Sequence, residues 1–522
     1  MRMTRREMVS ASAAIAGVLA ASGEASAAPR ARRYHLCLSE DAIETDPGLL
    51  PLVRQAGVTD VWVTGFLYGY WHYAPERVRR AMDAVEAAGM AAHVVNVPLG
   101  HPGDSLGAMA GDVPLTPPKH WRTGVGPGGE TYPGTSLHDP ATAENAAALR
   151  RLSDLGARQV FLDDDFRLAR SPGIVGGCFC EAHRAAFLRR GGYAPARWDE
   201  LLNDVRAHQL TPLLRAWVDS ACDELTACFR AVQRAAPDTR LGIMVMYMGA
   251  EKAGIRLADY RGCLFRVGEG HFGDGDFGTV KGKTVELFSS LFHRRFARPD
   301  LAYSETTAYP AHALSARNMA AKLAVSTLSD VRNTCMMSGL TPFPRTHWQT
   351  LAPAMRKQAA LHARVADRRP RGPWKHWWGE AGRYVSDDNP YSLFLACGVP
   401  FEVATRPPRD GVVFLSEYDG GEPLGERAIR VVRPSARTAP AGARVVPEAL
   451  PDLFALKRSM APALDAVPHV LEDTPAVCAW YPDARLCLLW NLEDRPVRLT
   501  LRHGAQRVPV SLAPLDTEAV DL

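Results

Sequence analysis

The chain has 522 residues, 47% hydrophobic and 23% charged, with a formal net charge of +4 from 61 basic against 57 acidic side chains. That length exceeds one ordinary core, so two or three domains are expected. The basic residues form no stripe that would track a phosphate backbone, which argues against nucleic acid. Beyond the N-terminus no apolar run approaches the ~20 residues that span a bilayer, which argues against stable membrane insertion.

Residues 1–30 read as a processing segment. Arg5-Arg6 precede an Ala-rich apolar stretch from Val9 to Ala21, and Ala25-Ser26-Ala27 offers a small-residue cleavage site. Paired arginines before a mild apolar core resemble a twin-arginine export signal, so a periplasmic or extracellular location is expected. The chain holds ten cysteines. Most of them, such as Cys228, Cys263, Cys335 and Cys487, stand singly in apolar surroundings, as core thiols do.

Over residues 31–365 one unit recurs: amphipathic helix, Gly or Pro punctuation, short apolar strand. Tyr34–Leu38 reads as the first strand. Leu49 to Ala56 reads as a helix stopped by Gly57, followed by a strand over Val58–Phe66. A helix from Glu76 to Ala88 leads past Gly89 to the strand Ala91–Val97, which Pro98 closes. Asp139-Pro140 places a capping carboxylate before a proline at the first helical position, opening a helix that ends at Gly156. Gln159–Asp165 is the fourth strand, and a later helix ending near Pro237 yields Leu241–Met248. Cys263–Gly268, Leu301–Thr306 and Thr334–Gly339 complete eight strands, mostly continuous apolar runs, as parallel strands buried on both faces should be. This alternation predicts a (β/α)8 TIM barrel. A doubly wound sheet is the rival, but no G-x-G-x-x-G follows the first strand.

After the barrel, residues 366–470 read as a small α/β domain, flavodoxin-like or trimerisation-like, with a strand at Gly411–Leu415. Gly421 to Ala443, rich in Pro, Ala, Arg and Gly, reads as a loop or linker. Residues 471–522 alternate apolar and polar positions over Leu486–Trp490, Val497–Leu501 and Val508–Leu512, which predicts an antiparallel β-sandwich-like module.

Reactive groups in a TIM barrel sit where strands end and βα-loops begin. The fourth strand runs into Asp163-Asp164-Asp165-Phe166-Arg167, and the seventh carries Tyr303-Ser304-Glu305. Neighbouring carboxylates repel, which favours keeping one protonated as a general acid requires, while Arg167 pulls the other way and favours an ionised neighbour. Retaining glycoside hydrolysis needs two carboxyl groups ~5–5.5 Å apart, one acid/base and one nucleophile. Asp165 and Glu305 are placed to meet that requirement, with Asp163, Asp164 and Arg167 around them.

Arg266 to His271 ends the sixth strand and brings Glu269 and His271 near the mouth as substrate-binding candidates. Trp71, in the aromatic loop Phe66–Tyr73, offers a face for a sugar ring, and Tyr303, two residues before Glu305, is a substrate-binding candidate expected to hydrogen-bond that nucleophile. Two other classes fit the same residues. One is a metal-dependent hydrolase using Asp163, Asp165 and His271; the other is a non-catalytic carbohydrate-binding barrel. Cys178-Phe179-Cys180-Glu181-Ala182-His183 is a C-x-C-x-x-H cluster whose thiolates and imidazole suit tetrahedral zinc.

These residues resemble clan A glycoside hydrolases, and most of all the family 42 β-galactosidase type. That family carries Asp-Asn-Glu-aromatic at the end of strand four, where this chain has Asp163-Asp164-Asp165-Phe166. The resemblance implies Asp165 as acid/base, Asp164 in place of the Asn that holds the sugar 2-hydroxyl, and Glu305 as nucleophile. Asp165 is one methylene shorter than the family's Glu. The resemblance also implies a carbohydrate substrate, no cofactor required for catalysis, and a middle domain that packs subunits into a homo-oligomer. It further implies a structural zinc at Cys178, Cys180 and His183, with His101, His120 or His138 open as the fourth ligand.

Overall fold

Buried apolar strands can satisfy their backbones only by pairing on both edges, and a closed ring of strands does so with no edge left over. The computed structural model of the chain forms such a ring. It describes residues 31–99, 118–163, 166–171, 173–268, 270–386 and 388–522. Residues 1–30, where an export signal was expected, and His101, Asp164, Asp165 and Glu269 lie outside the described residues.

The barrel strands are β1 (Arg33–Cys37), β2 (Asp60–Leu67), β3 (Ala91–Val97), β4 (Gln159–Leu162), β5 (Arg240–Met246), β6 (Leu264–Gly268), β7 (Ala302–Thr307) and β8 (Asn333–Met337). They pair in parallel in that order, and β1 pairs with both β2 and β8, so the barrel closes. This is the expected (β/α)8 architecture. All eight residues of β2 are buried, because one face packs on the barrel interior and the other on the surrounding helices. Gly65 in β2 is required by close approach. A Cβ there would lie 2.1 Å from Asn96 Oδ1, the oxygen that accepts the Phe66 N–H.

The helices that follow strands are α1 (Leu49–Ala56), α2 (Pro75–Ala87), α3 (Ala141–Asp154), α4 (Pro212–Ala235), α5 (Val280–His293), α6 (Ala316–Leu328) and α7 (His347–Val365). Gly57 ends α1 with φ +117°, its N–H on the Val53 and Arg54 carbonyls, the left-handed stop that glycine allows. The start of α3 differs from the sequence reading: Pro140 is itself the N-cap, the helix begins at Ala141, and no side chain caps it.

Beyond α7 lies a second, five-stranded parallel sheet of β9 (Trp374–Trp377), β10 (Phe401–Val403), β11 (Asp410–Leu415), β12 (Arg427–Val432) and β13 (Arg444–Val445), in the order β10-β9-β11-β12-β13. The stretch expected to be a linker therefore contains β12. Its Pro, Arg and Gly content masked the run Ala428–Val432, whose ladder to β11 supplies the missing backbone partners. The chain ends in two three-stranded antiparallel sheets formed between His469 and Asp521. They share one apolar core that includes Val470, Cys487, Leu489, Leu499 and Leu512. Arg32–Leu522 form one compact unit. No helix among the described residues is long and apolar enough to cross a membrane.

Candidate active site

Side chains alternate along a strand, so every second residue of each barrel strand points inward. On the inside, Trp62 of β2, Phe161 of β4 and Tyr303 of β7 form an aromatic layer, with Trp62 and Phe161 centroids 4.4 Å apart and Phe161 and Tyr303 5.0 Å apart. One step nearer the C-terminal ends of the strands comes a charged layer. Arg266 of β6, fully buried, sets Nε 3.0 Å from Glu305 Oε2 of β7 and pairs through Nη2 with Asp163, directly after β4. One guanidinium thus lies between two carboxylates, Asp163 and Glu305, that are 142 residues apart in the chain. Burial works against the Arg266 charge, but Glu305 together with the Cys335 and Cys37 thiols outweighs it and raises the group above its ordinary range. The Thr307 hydroxyl donates to Glu305 Oε1, and the Phe161 ring lies 5.2 Å from the guanidinium.

The rim of the mouth carries unusual backbone. Tyr68 and Tyr247, immediately after β2 and β5, hold φ of +53° and +50°, a left-handed region that costs a bulky residue on the order of 1–3 kcal/mol and is often found beside functional sites. A Cβ at Gly270 would fall 1.7 Å from the Tyr247 ring, so that glycine is fixed by Tyr247. Glu40, the first residue of a short helix after β1, is fully buried facing Thr64, and burial pushes its carboxyl up to about 8.

The sequence-derived candidates separate. Glu305 and Asp163 are brought together; Asp163 is spent on Arg266 and does not line open space. Asp165, Asp164 and Glu269 lie outside the described residues. Arg167 is buried with Nε on the Ala169 carbonyl at 3.2 Å. His271 stands in the loop after β6 with Nδ1 2.8 Å from Glu286 of α5. Asp163 and His271 therefore sit in separate pairs, which takes two ligands from the metal-hydrolase reading.

Two expectations are corrected. Tyr303 does not reach Glu305: it points into the layer below, and its hydroxyl meets Gln159 Oε1 at 3.4 Å at the start of β4. The parity of the strand keeps both residues inside the barrel but at different depths. Trp71 forms a hairpin onto the end of β2 and packs at a tilt against Phe66, 5.4 Å between centroids, in a cluster with Trp121 over α3. It packs outside the ring of strands. The residue that sequence reasoning passed over is Arg266. Its signal was an arginine at the centre of the apolar run Leu264–Gly268, which a buried strand accepts only for a charge partner.

The cysteine cluster forms as a compact group. Cys180 Sγ lies 3.4 Å from His138 Nε2 and 3.2 Å from His183 Nδ1, and the ligating atoms of these three residues fall within 4.8 Å of one another. His138 and His183 stack at 4.4 Å. His183 Nε2 lies 3.0 Å from Glu224, and Cys178 stands near the same imidazole. Of the open fourth ligands His138 is the one beside the cluster; His120 pairs with Glu144 instead. Tetrahedral zinc bonds of about 2.3 Å to sulfur and 2.0–2.1 Å to nitrogen put S and N about 3.6 Å apart, close to the spacing here. A carboxylate on the far nitrogen of a ligating histidine is the usual support, and Glu224 provides it.

No protein-family model matches the sequence, and no curated protein matches it. Among solved structures the chain is similar to three β-galactosidases. That of Rahnella sp. R3 gives a TM-score of 0.63 at 9% identity, covering 94% of this chain and 98% of the other. That of Marinomonas ef1 gives 0.60 at 9%, with 93% and 99% covered, and that of Bacillus circulans sp. alkalophilus 0.59 at 9%, with 94% and 98%. Identity this low speaks for the fold. The chain shares the TIM-barrel fold of these three structures, and the likeness extends over the sheets that follow the barrel.

Proposed function

We propose that this chain is an exported glycosidase acting on an oligo- or polysaccharide with retention of configuration. The observation that carries the reading is Glu305. It is an acidic side chain at the C-terminal end of β7, aimed into the barrel and held by Arg266 and Thr307. A guanidinium at hydrogen-bond distance favours the ionised carboxylate, the form that attacks an anomeric carbon. Arg266 and Thr307 also fix its orientation, so little reorganisation is left for the reaction. Asp165, two residues past Asp163, is assigned the acid/base: it protonates the leaving oxygen, then takes a proton from the water that releases the glycosyl-enzyme. Support comes from the fold shared with β-galactosidases over more than nine-tenths of the chain.

Aryl glycosides and oligosaccharides offered to the wild-type chain should be turned over, with the first-formed sugar keeping its anomeric configuration by NMR. Inversion removes the nucleophile role. Full turnover by Glu305→Ala removes it as well, while ligand affinity with no turnover on any glycan removes the enzyme assignment.

We further propose that Cys178, Cys180, His183 and His138 hold a structural zinc, which would tie the loop after β4 to the start of α3 and take no part in catalysis. Metal analysis of the purified chain is expected to give about one zinc per molecule. Cys180→Ser should lose it and lower Tm without changing kcat at a temperature where both forms are folded. Export by the twin-arginine route is assigned to residues 1–30, and the ten free thiols of the fold suit a protein that folds before leaving a reducing cytosol.

A further inference from the structure

Beneath the barrel, at the end opposite the mouth, lies a cavity of about 80 Å3 between the last turn of α5, the connection from α7 to β9, and β10. Four arginines line it: Arg294, Arg295, Arg369 and Arg371. Two of them have carboxylate partners. Arg294 pairs with Asp330 at 3.0 Å and gives its remaining donors to the Asp330 and Ala297 carbonyls, while Arg371 pairs with Glu402 at 2.8 Å.

The other two have none among the described residues. Arg369 reaches only the Arg294 carbonyl, at 3.5 Å. Arg295 lies 5.2–5.7 Å from the Phe292, Phe296 and Trp377 rings, and its buried Nε and Nη1 meet no acceptor. The rings hold the fork in place and strip it of water without neutralising it. Burial first, then the Arg383 and Arg369 charges, push Arg295 down to about 9. Burial, then Arg294 and Arg371, lower Arg369 as well. Both remain cations at neutral pH, because a guanidinium starts from so high a value that these shifts leave it protonated there. The four arginines and the two carboxylates paired with them therefore leave two positive charges uncompensated among the described residues.

We propose that this cavity binds one oxyanion between Arg295 and Arg369: a phosphate, a sulfate, or the carboxylate or sulfate of an acidic sugar. Planar guanidinium forks match such oxygens through paired, charge-assisted hydrogen bonds. The volume is a few water molecules' worth at about 30 Å3 each, enough for a tetrahedral anion. It is well below the ~300 Å3 at which pockets for larger ligands begin, so a sugar would place only its acidic group inside. The site lies away from the charged layer at the mouth and does not depend on the glycosidase reading.

Calorimetric titration of the full chain with sodium sulfate and with inorganic phosphate, at ionic strength fixed with sodium chloride, tests it. One saturable site is expected. Arg369→Gln, at an exposed side chain, should weaken it about tenfold, the scale of one charge-assisted hydrogen bond, while the anion-free Tm stays the same or rises as repulsion is relieved. Arg295→Gln should abolish it. Galacturonate titrated in the same way separates the sources: tighter binding than sulfate, sensitive to the same substitutions, makes an acidic sugar the occupant, and weaker binding makes it the free ion. Sulfate binding that survives both substitutions, or heats no different from those of chloride, overturns the proposal.

Discussion

The barrel interior holds two charged clusters, one at each end, separated by the Trp62–Phe161–Tyr303 layer. At the base, Asp60 accepts from Arg33 through both oxygens at 2.6 and 2.9 Å, from His93 at 2.9 Å and from Thr59. His35 is fixed as a neutral ring, taking the Trp62 indole N–H at 3.2 Å and contacting Asn333 at 3.2 Å. Three such residues can be drawn as a metal triad, yet each carboxylate oxygen already has its partners. At the mouth, Asp163, Arg266 and Glu305 also pair, but at the strand ends where βα-loops bring substrate groups. Buried charge alone does not mark a site. Position along the strands, and whether the group's partners also orient it toward the mouth, separate a staple from a reactive centre.

Substitutions that treat the two ends differently test that distinction. The largest effect is expected for Glu305→Gln: loss of kcat in the folded enzyme by about 10⁴-fold or more, as for other removed nucleophiles, with a lowered Tm because Arg266 keeps only Asp163 as its anion. Retained activity would make the mouth a second staple. Arg266→Met strands two carboxylates facing one another, and denaturant unfolding should show a loss of about 3–5 kcal/mol, typical of one missing partner in a buried pair, together with a fall in kcat. At the base, Asp60→Asn should cost roughly 2–4 kcal/mol, since it leaves Arg33 and His93 without their anion, while kcat of the folded enzyme stays within about twofold of wild type. A large kcat loss there would erase the comparison.

The smallest effect is one of pH. Burial first, against the opposing pull of Asp60, lowers His35 to about 4, below the ~6.5 of an unfolded histidine. The folded state therefore binds this proton less readily than the unfolded one. The neutral ring's contribution is complete above pH 6.5 and is lost as the pH falls toward 4, by up to ~3 kcal/mol. Urea midpoints measured across that interval should fall on the acid side, and a flat profile would show that His35 titrates normally.

Much of the barrel was legible because its signal is local. Continuous apolar runs such as Val61–Val63 and Val94–Val95, punctuated by glycines such as Gly57, specify parallel strands and helix stops without knowledge of neighbours. Glu305 was legible for the same reason, as a lone carboxylate closing an apolar strand. β12 was missed because composition around Ala428–Val432 outweighed a short run whose partner strand lies elsewhere.

What the sequence determined by itself, then, was the periodicity: eight buried strands, the helices between them, and carboxylates at two strand ends. Tertiary structure alone decided pairing. The parity that aims Tyr303 below Glu305, the insertion of Arg266 between Asp163 and Glu305, and the arrival of His138 beside Cys180 all depend on closure of the ring. The physical reason is range. Helix and strand propensities and apolar periodicity act over a few residues, whereas a charge or a metal ligand is satisfied by whatever the fold brings within about 4 Å, whatever its distance along the chain.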